Sequence, residues 1–150
     1  MPKKRTHRIC VYMLDAARRN VLLQRAKDGP YTNQYAPMTA PWSEQDTLVE
    51  IARRLVSRTT DLDFLFLGYS ASMPMVLDER SIRLYPPFHI QLTVLSETVD
   101  LVDYVYLVQA KAALEFPEGG PLCWFNQSNI KNMPAHVAHL VHHILTTVTH

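Results

Sequence analysis

Apolar positions along the chain follow two kinds of spacing. Residues 8–14 (RICVYML) are aromatic, β-branched and apolar in a continuous run, which predicts a buried strand. A polar stretch over 15–20 makes a turn, and residues 20–25 (NVLLQR) return as a second strand, so the two predict a hairpin. Asp28-Gly29-Pro30 is a turn signal, and Pro37 and Pro41 exclude a helix from residues 31–42. Further on, residues 63–73 (DFLFLGYSASM) predict a strand with Gly68 as a bulge, and residues 73–83 a loop. Strict alternation over 88–95 (FHIQLTVL) predicts another strand after Pro86-Pro87, and 103–110 (DYVYLVQA) one more. The PEGGP stretch at 117–121 is a loop, followed by a short apolar run at 122–125.

Two segments carry the helical period instead. Ser43 followed three positions later by Asp46 predicts an N-cap, and Glu44 and Asp46 suit the positive end of a helix dipole. That helix runs to about Thr59, with Glu50 and Arg54 spaced for an ion pair. Leu48, Val49, Ile51, Ala52, Leu55 and Val56 form a wide apolar arc on it, more than a one-sided core stripe needs. Pro134 opens a last helix, through about Val148, whose apolar face is Val137, Leu140, Val141, Ile144, Leu145 and Val148. Strands, helix, strands, helix is the order of an α/β (α+β) sandwich with helices on a mixed sheet. No linker is visible, so residues 1–150 read as a single domain, with 1–7 a flexible basic N-terminus.

Composition narrows the function classes. The 150 residues are 47% hydrophobic and 19% charged, as in an ordinary globular domain. The net charge is +1, and the one basic cluster (Lys3, Lys4, Arg5, His7, Arg8) reads as a solvated terminus, so nucleic acid is not the expected partner. No secretory signal follows the basic start and no apolar run approaches ~20 residues, which points to a cytoplasmic protein without a membrane partner. Cys10 and Cys123 read as small core residues. There are only four glycines, with no phosphate-cradling loop and no nucleophile elbow.

The order of elements resembles the Nudix family, whose signature is G-x5-E-x7-R-E-U-x-E-E-x-G-U with U a bulky aliphatic. Residues 40–62 match its length without a gap: Asp46 stands at the first acidic position, Arg54 at the arginine, and Val56 and Leu62 at the aliphatics. Pro37 lies where the family has a proline, and VLLQRA before the box resembles the family's preceding strand. DYVYLVQA, Glu118 and Leu122-Cys123-Trp124-Phe125 resemble its closing strands. The resemblance implies a Nudix-like α/β/α sandwich. It also exposes a degenerate box: Ala40 and Asp61 replace the glycines, and Leu55, Arg58 and Thr59 replace the three glutamates.

In the family those glutamates hold Mg²⁺ or Mn²⁺ against a diphosphate, because hard cations require oxygen ligands. Positions 55, 58 and 59 share one helix face. Here that face offers an aliphatic group, a cation and a hydroxyl, so no metal cofactor and no box-type hydrolysis are expected. The apolar arc on this helix reads either as buried by a neighbouring segment or as a pocket or partner surface centred on Ile51 and Leu55.

Two functional readings follow. In the first, the domain binds a nucleotide-like small molecule, or acts as a regulatory module that docks a protein partner or a second copy. Its pocket would draw on Arg25, Tyr35, Ile51, Leu55, Arg58, Thr59 and His89, since aromatics in the loops of this fold stack on a bound ring and Arg25 and Arg83 can face an anion. The further loop aromatics Tyr31, Trp42, Tyr85 and Phe88 serve equally well as core plugs. In the second, a divergent hydrolase of a nucleoside diphosphate derivative uses relocated carboxylates, Glu97, Asp100, Asp103 and Glu118, with Mg²⁺ or Mn²⁺. The histidines at 136, 139, 142, 143 and 150 read as a solvated helix face; His139 and His143 have chelating spacing but no third ligand nearby in sequence.

Overall fold

The sheet is assembled around two long strands. β1 (Lys4–Leu14) and β7 (Val99–Ala110) run parallel, in register from Lys4 opposite Val99 to Leu14 opposite Gln109. The computed structural model describes residues 2–29, 31–68, 76–84 and 86–148. β2 (Val21–Arg25), β3 (Tyr35–Ala36) and β4 (Met38–Pro41) continue the sheet on one side. The end of β1 pairs with β2, and its middle, Arg8 to Val11, pairs antiparallel with β4. β5 (Phe64–Phe66) and β6 (His89–Val94) share the far edge of β7, and β8 (Leu122–Phe125) pairs with β2. Among the described residues all pairings except β1 with β7 are antiparallel, so the sheet is mixed.

Both faces of β1 are buried along its second half, which explains its unbroken apolar run. Ile9, Val11 and Met13 point to one face, with Tyr106 and Val108 of β7, and meet helix α1 (Leu48–Thr59) through Ile51, Ala52, Leu55 and Val56. Cys10, Tyr12 and Leu14 point to the other, with Val105 and Leu107, and meet α2 (Ala135–Val148) through Val137, Leu140, Val141, Ile144 and Leu145. The α2 residues recur at i, i+3, i+4, i+7 and i+8, the stripe of a one-sided helix. The architecture is therefore the expected α/β/α sandwich around a mixed sheet. Neither cysteine is bonded, and both are buried. Among the described residues no helix is long and apolar enough to cross a membrane.

Several boundaries depart from the sequence reading, among them the start of β7 at Val99 instead of residue 103. β1 begins at Lys4 instead of at residue 8, because the extended β7 offers a partner as far back as Val99. The basic start is thus half of a ladder rather than a flexible tail, and Lys3 and Arg5 reach the buried Asp100 at 3.1 and 3.6 Å. The region between the turn and α1 contains β3 and β4, too short to show a period of their own. α1 starts at Leu48, four positions later than Ser43 suggests: Thr47 is the N-cap, and its Oγ1 accepts from Glu50 N–H at 3.1 Å. Ser43 caps only a local turn, accepting from Gln45 N–H at 3.3 Å. Asp46 then lies outside the helix and reaches Arg54 at 3.2 Å, taking the place foreseen for Glu50. The strand proposed over 63–73 is three residues long; Gly68 follows it with φ 83°, and 69–75 lie outside the described residues.

Thr47→Ala should lower stability by about 1 kcal/mol, and Ser43→Ala by much less. Urea denaturation of the two variants against the parent chain checks this; equal losses would restore Ser43 as the cap.

Candidate functional site

A cavity of about 500 Å³ opens on the α2 side of the sheet. Its floor is made of strand residues that point away from α1: Arg8, Cys10 and Tyr12 from β1, Leu101, Asp103 and Val105 from β7, and Gln91 from β6. One wall is the end of β2 and the connection after it, with Arg25, Lys27 and Tyr31; the other is the entry to α2, with Pro134 and His136. Two asparagines in left-handed conformation hold these walls together: Asn33 (φ 68°) and Asn132 (φ 56°). Asn132 donates its side-chain amide to Asn33 O at 3.2 Å and accepts Tyr35 N–H at 2.8 Å. Asparagine tolerates this conformation better than most residues, so both connections turn sharply enough to face each other.

The floor carries an ion pair. The parallel register sets Arg8 opposite Asp103, and Arg8 Nε donates to Asp103 Oδ1 at 2.6 Å. Burial works against the Arg8 charge, but the hydrogen bond and attraction of Asp103 outweigh it and hold its pKa above the usual arginine value. Asp103 Oδ2 also meets Arg8 Nη2 at 3.4 Å, and the carboxylate is buried against Arg8 and the Cys10 thiol. Beside the pair, burial and the Asp103 charge push the Cys10 thiol far above its ordinary pKa. Cys10 is therefore a protonated wall residue, not a nucleophile.

Arg25 projects over the Tyr35 ring, 5.2 Å from its centroid, and donates through Nη2 to Tyr35 Oη at 3.1 Å and Gly119 O at 2.7 Å. Tyr35 itself is buried and donates to Gly120 O at 2.8 Å, so it supports the cavity from beneath rather than lining it. At the mouth, Tyr31 and His136 face each other with ring centroids 5.5 Å apart. Partial burial lowers the pKa of His136 below the ordinary 6.5, against the opposing pull of Asp103. His136 is thus neutral at neutral pH.

The residues singled out from the sequence fall in different places. Arg25 lines the cavity, and His89, on β6, contacts the lining residue Gln91 at 3.2 Å. Ile51 and Leu55 lie across the sheet, 5% and 4% exposed in the core under α1, so the apolar arc is packing and not an open pocket. Arg58 is exposed in the last turn of α1, and Thr59 Oγ1 donates to Leu55 O at 2.8 Å. These three positions do not fit a divalent cation: one side chain lacks a donor atom, one is cationic, and one hydroxyl is already engaged. Asp100 and Asp103 face opposite sides of β7, Glu97 is exposed in the turn before it, and Glu118 is exposed in the 117–121 loop. The four carboxylates are not brought together, and no three His, Cys, Asp or Glu residues among the described ones are grouped to hold a metal. His139, His142 and His143 are exposed on α2; Tyr85 and His150 lie outside the described residues.

Sequence reading missed Arg8, Cys10, Gln91 and His136 as cavity residues. A charge inside an otherwise apolar strand was the available signal for Arg8 and for its partner Asp103. What joins them is a parallel register between segments about ninety residues apart, which no local pattern displays.

No protein-family model matches the chain, and no curated protein matches it. Among solved structures it is similar to a hydrolase of the NUDIX family from Clostridium perfringens, with a TM-score of 0.70 and 15% identity over 95% of this chain and 97% of that one. At that identity the likeness shows the fold: the chain is an α/β sandwich of Nudix-like form.

Leu55→Glu should cost about 4 kcal/mol by burying an unpaired carboxylate in the core. A small loss in denaturant midpoint would mean that this position can reach water. His136 carries a second expectation. Its pKa is lowered on folding, so the unfolded chain binds the proton more tightly. Its stability contribution is complete above pH 6.5 and is lost as pH falls from there through the lowered folded value. Melting temperatures of the parent and His136→Gln should therefore converge or cross as pH drops below about 6.5; parallel curves would remove His136 from the account.

Proposed function

We propose that this protein binds a small anionic, ring-bearing molecule of nucleotide-like chemistry in the α2-side cavity and does not hydrolyse it by box-type metal chemistry. The observation that carries this reading is the cavity itself: about 500 Å³, floored by the Arg8–Asp103 pair and walled by Arg25 and Lys27. Its volume suits a small ligand. Arg25 uses Nη2 to grip Tyr35 and Gly119, which fixes the guanidinium while its other N–H groups stay available to a phosphate or carboxylate. The Arg8–Asp103 pair gives the ligand a fixed polar floor. Tyr31 and His136 supply ring faces at the mouth.

The non-hydrolytic part of the reading is supported by the placement of α1. Leu55 packs into the opposite side of the sheet from the cavity, and Arg58 brings positive charge where a cation would have to sit. A ligand in the cavity thus meets arginine and lysine directly, with no box metal to bridge it. Such a domain would serve as a binding or regulatory module.

Calorimetric titration with a panel of nucleoside mono- and diphosphates and their derivatives, with and without Mg²⁺ or Mn²⁺, tests both halves. Binding of at least one member should be metal-independent, and Arg25→Ala with Lys27→Ala should weaken it roughly tenfold or more. No phosphate release should accompany it. Mg²⁺-dependent release that disappears in Asp103→Ala or Glu118→Ala would establish the divergent hydrolase instead.

A further inference from the structure

One row of polar side chains crosses the cavity floor. The two ladders of β7 set Gln91 of β6 opposite Asp103, and Asp103 opposite Arg8 of β1. Residues paired in this way share a face of the sheet, and all three line the cavity. Thr39 of β4 lies in the next row, opposite Cys10, and Gln24 stands on β2.

The acceptors of this row are already engaged. Asp103 takes Arg8 Nε at 2.6 Å and Nη2 at 3.4 Å, and only 3% of its side chain is exposed. Gln91 Oε1 lies 3.2 Å from His89 Nε2, two residues earlier on β6 and therefore on the same face. A carbonyl oxygen only accepts, so His89 carries its hydrogen on Nε2. The donors of the row remain open. Gln91 Nε2 has no hydrogen-bond partner among the described residues. Arg8 spends Nε and one Nη2 hydrogen on Asp103, and 33% of its side chain stays exposed. Turning the Gln91 amide over would set its oxygen beside the Asp103 carboxylate and would require His89 to give up its Nε2 hydrogen. His89 and Asp103 thus favour the same orientation, with the amide N–H groups toward the cavity.

A polar site discriminates by the groups that a wrong ligand leaves unpaired. A ring carbonyl over this row accepts from Gln91 and Arg8. A ring amino group in its place sets hydrogens against hydrogens. Gln24 and Thr39 can each donate or accept, so they follow the ligand and do not choose it. Arg25 and Lys27 hold the anion at the β2 end, with β1 and β7 between them and Gln91. Grip on the anion and choice of the ring therefore fall to different residues. Given nucleotide-like binding in this cavity, on which the inference rests, we propose that the site takes rings bearing a carbonyl in preference to their amino counterparts, uracil over cytosine and hypoxanthine over adenine. Gln91 reads the carbonyl, and His89 is the positioning residue for its amide.

Calorimetric titration of the full chain with uridine against cytidine diphosphate, and with inosine against adenosine diphosphate, tests the proposal. The carbonyl member of each pair should bind about tenfold tighter. Gln91→Glu offers acceptors only and should erase or invert that ratio. Gln91→Leu, which adds no charge, should level it should the carboxylate disturb the floor, with circular dichroism reporting the fold of each. His89→Phe should shrink the ratio to about threefold or less, whereas a merely structural role would weaken both members together and leave the ratio unchanged. Equal binding of both members, or a ratio that Gln91→Glu and Gln91→Leu both leave intact, overturns the choice of ring while binding that still depends on Arg25 and Lys27 upholds the cavity as the site. Absence of binding across both pairs overturns the two together.

Discussion

Eleven residues of β1, Lys4 to Leu14, lie in parallel register with β7, and the rest of the molecule is arranged on that pairing. A parallel ladder needs both faces covered, because its strands carry apolar side chains on both sides. α1 and α2 supply the two covers, each through its own apolar stripe. The same ladder sets which side chains share a face. It puts Arg8 beside Asp103 toward α2, and His7 beside Val102 toward α1. A slip of one residue would exchange these sets and bury the arginine under α1, so the register is held by the whole hydrophobic pattern.

The two covers are unequal, and that inequality creates the features with chemical potential. α1 seals the middle of its face closely: Ala52 and Val56 have no exposed surface. Across the sheet, α2 covers the end of β1 around Tyr12 and Leu14 but leaves a cavity over Arg8, Cys10 and Gln91. Polar groups survive there because they are matched: Arg8 with Asp103, Tyr35 with Gly120, and Arg25 with Tyr35 and Gly119. No buried side-chain nitrogen or oxygen among the described residues lacks a partner. A cavity with satisfied walls and residual donor and acceptor capacity is an environment for a polar ligand.

α1 is held by its cap at Thr47, a surface ion pair and an apolar stripe. Asp46 and Arg54 are engaged with each other on the surface. Leu55 contributes to the core.

Much of this was legible in the amino-acid sequence. Local periodicity and turn residues determined the order of elements, the apolar stripe of α2 and the two buried cysteines. Those features depend on neighbours within a few residues, so spacing alone displays them. Tertiary structure decided what lies between distant segments. It extended β1 back to Lys4, drew β3 and β4 out of an irregular stretch, and moved the helix cap from Ser43 to Thr47. It buried Ile51 and Leu55 while leaving Ile90 and Leu92 in water, although all four are aliphatic residues in regular elements. The physical reason is that an apolar side chain is buried only if another element lies over it, and a charge in a strand is satisfied only by the residue that the register places opposite. Both are settled by pairings between distant parts of the chain, which local sequence patterns do not encode.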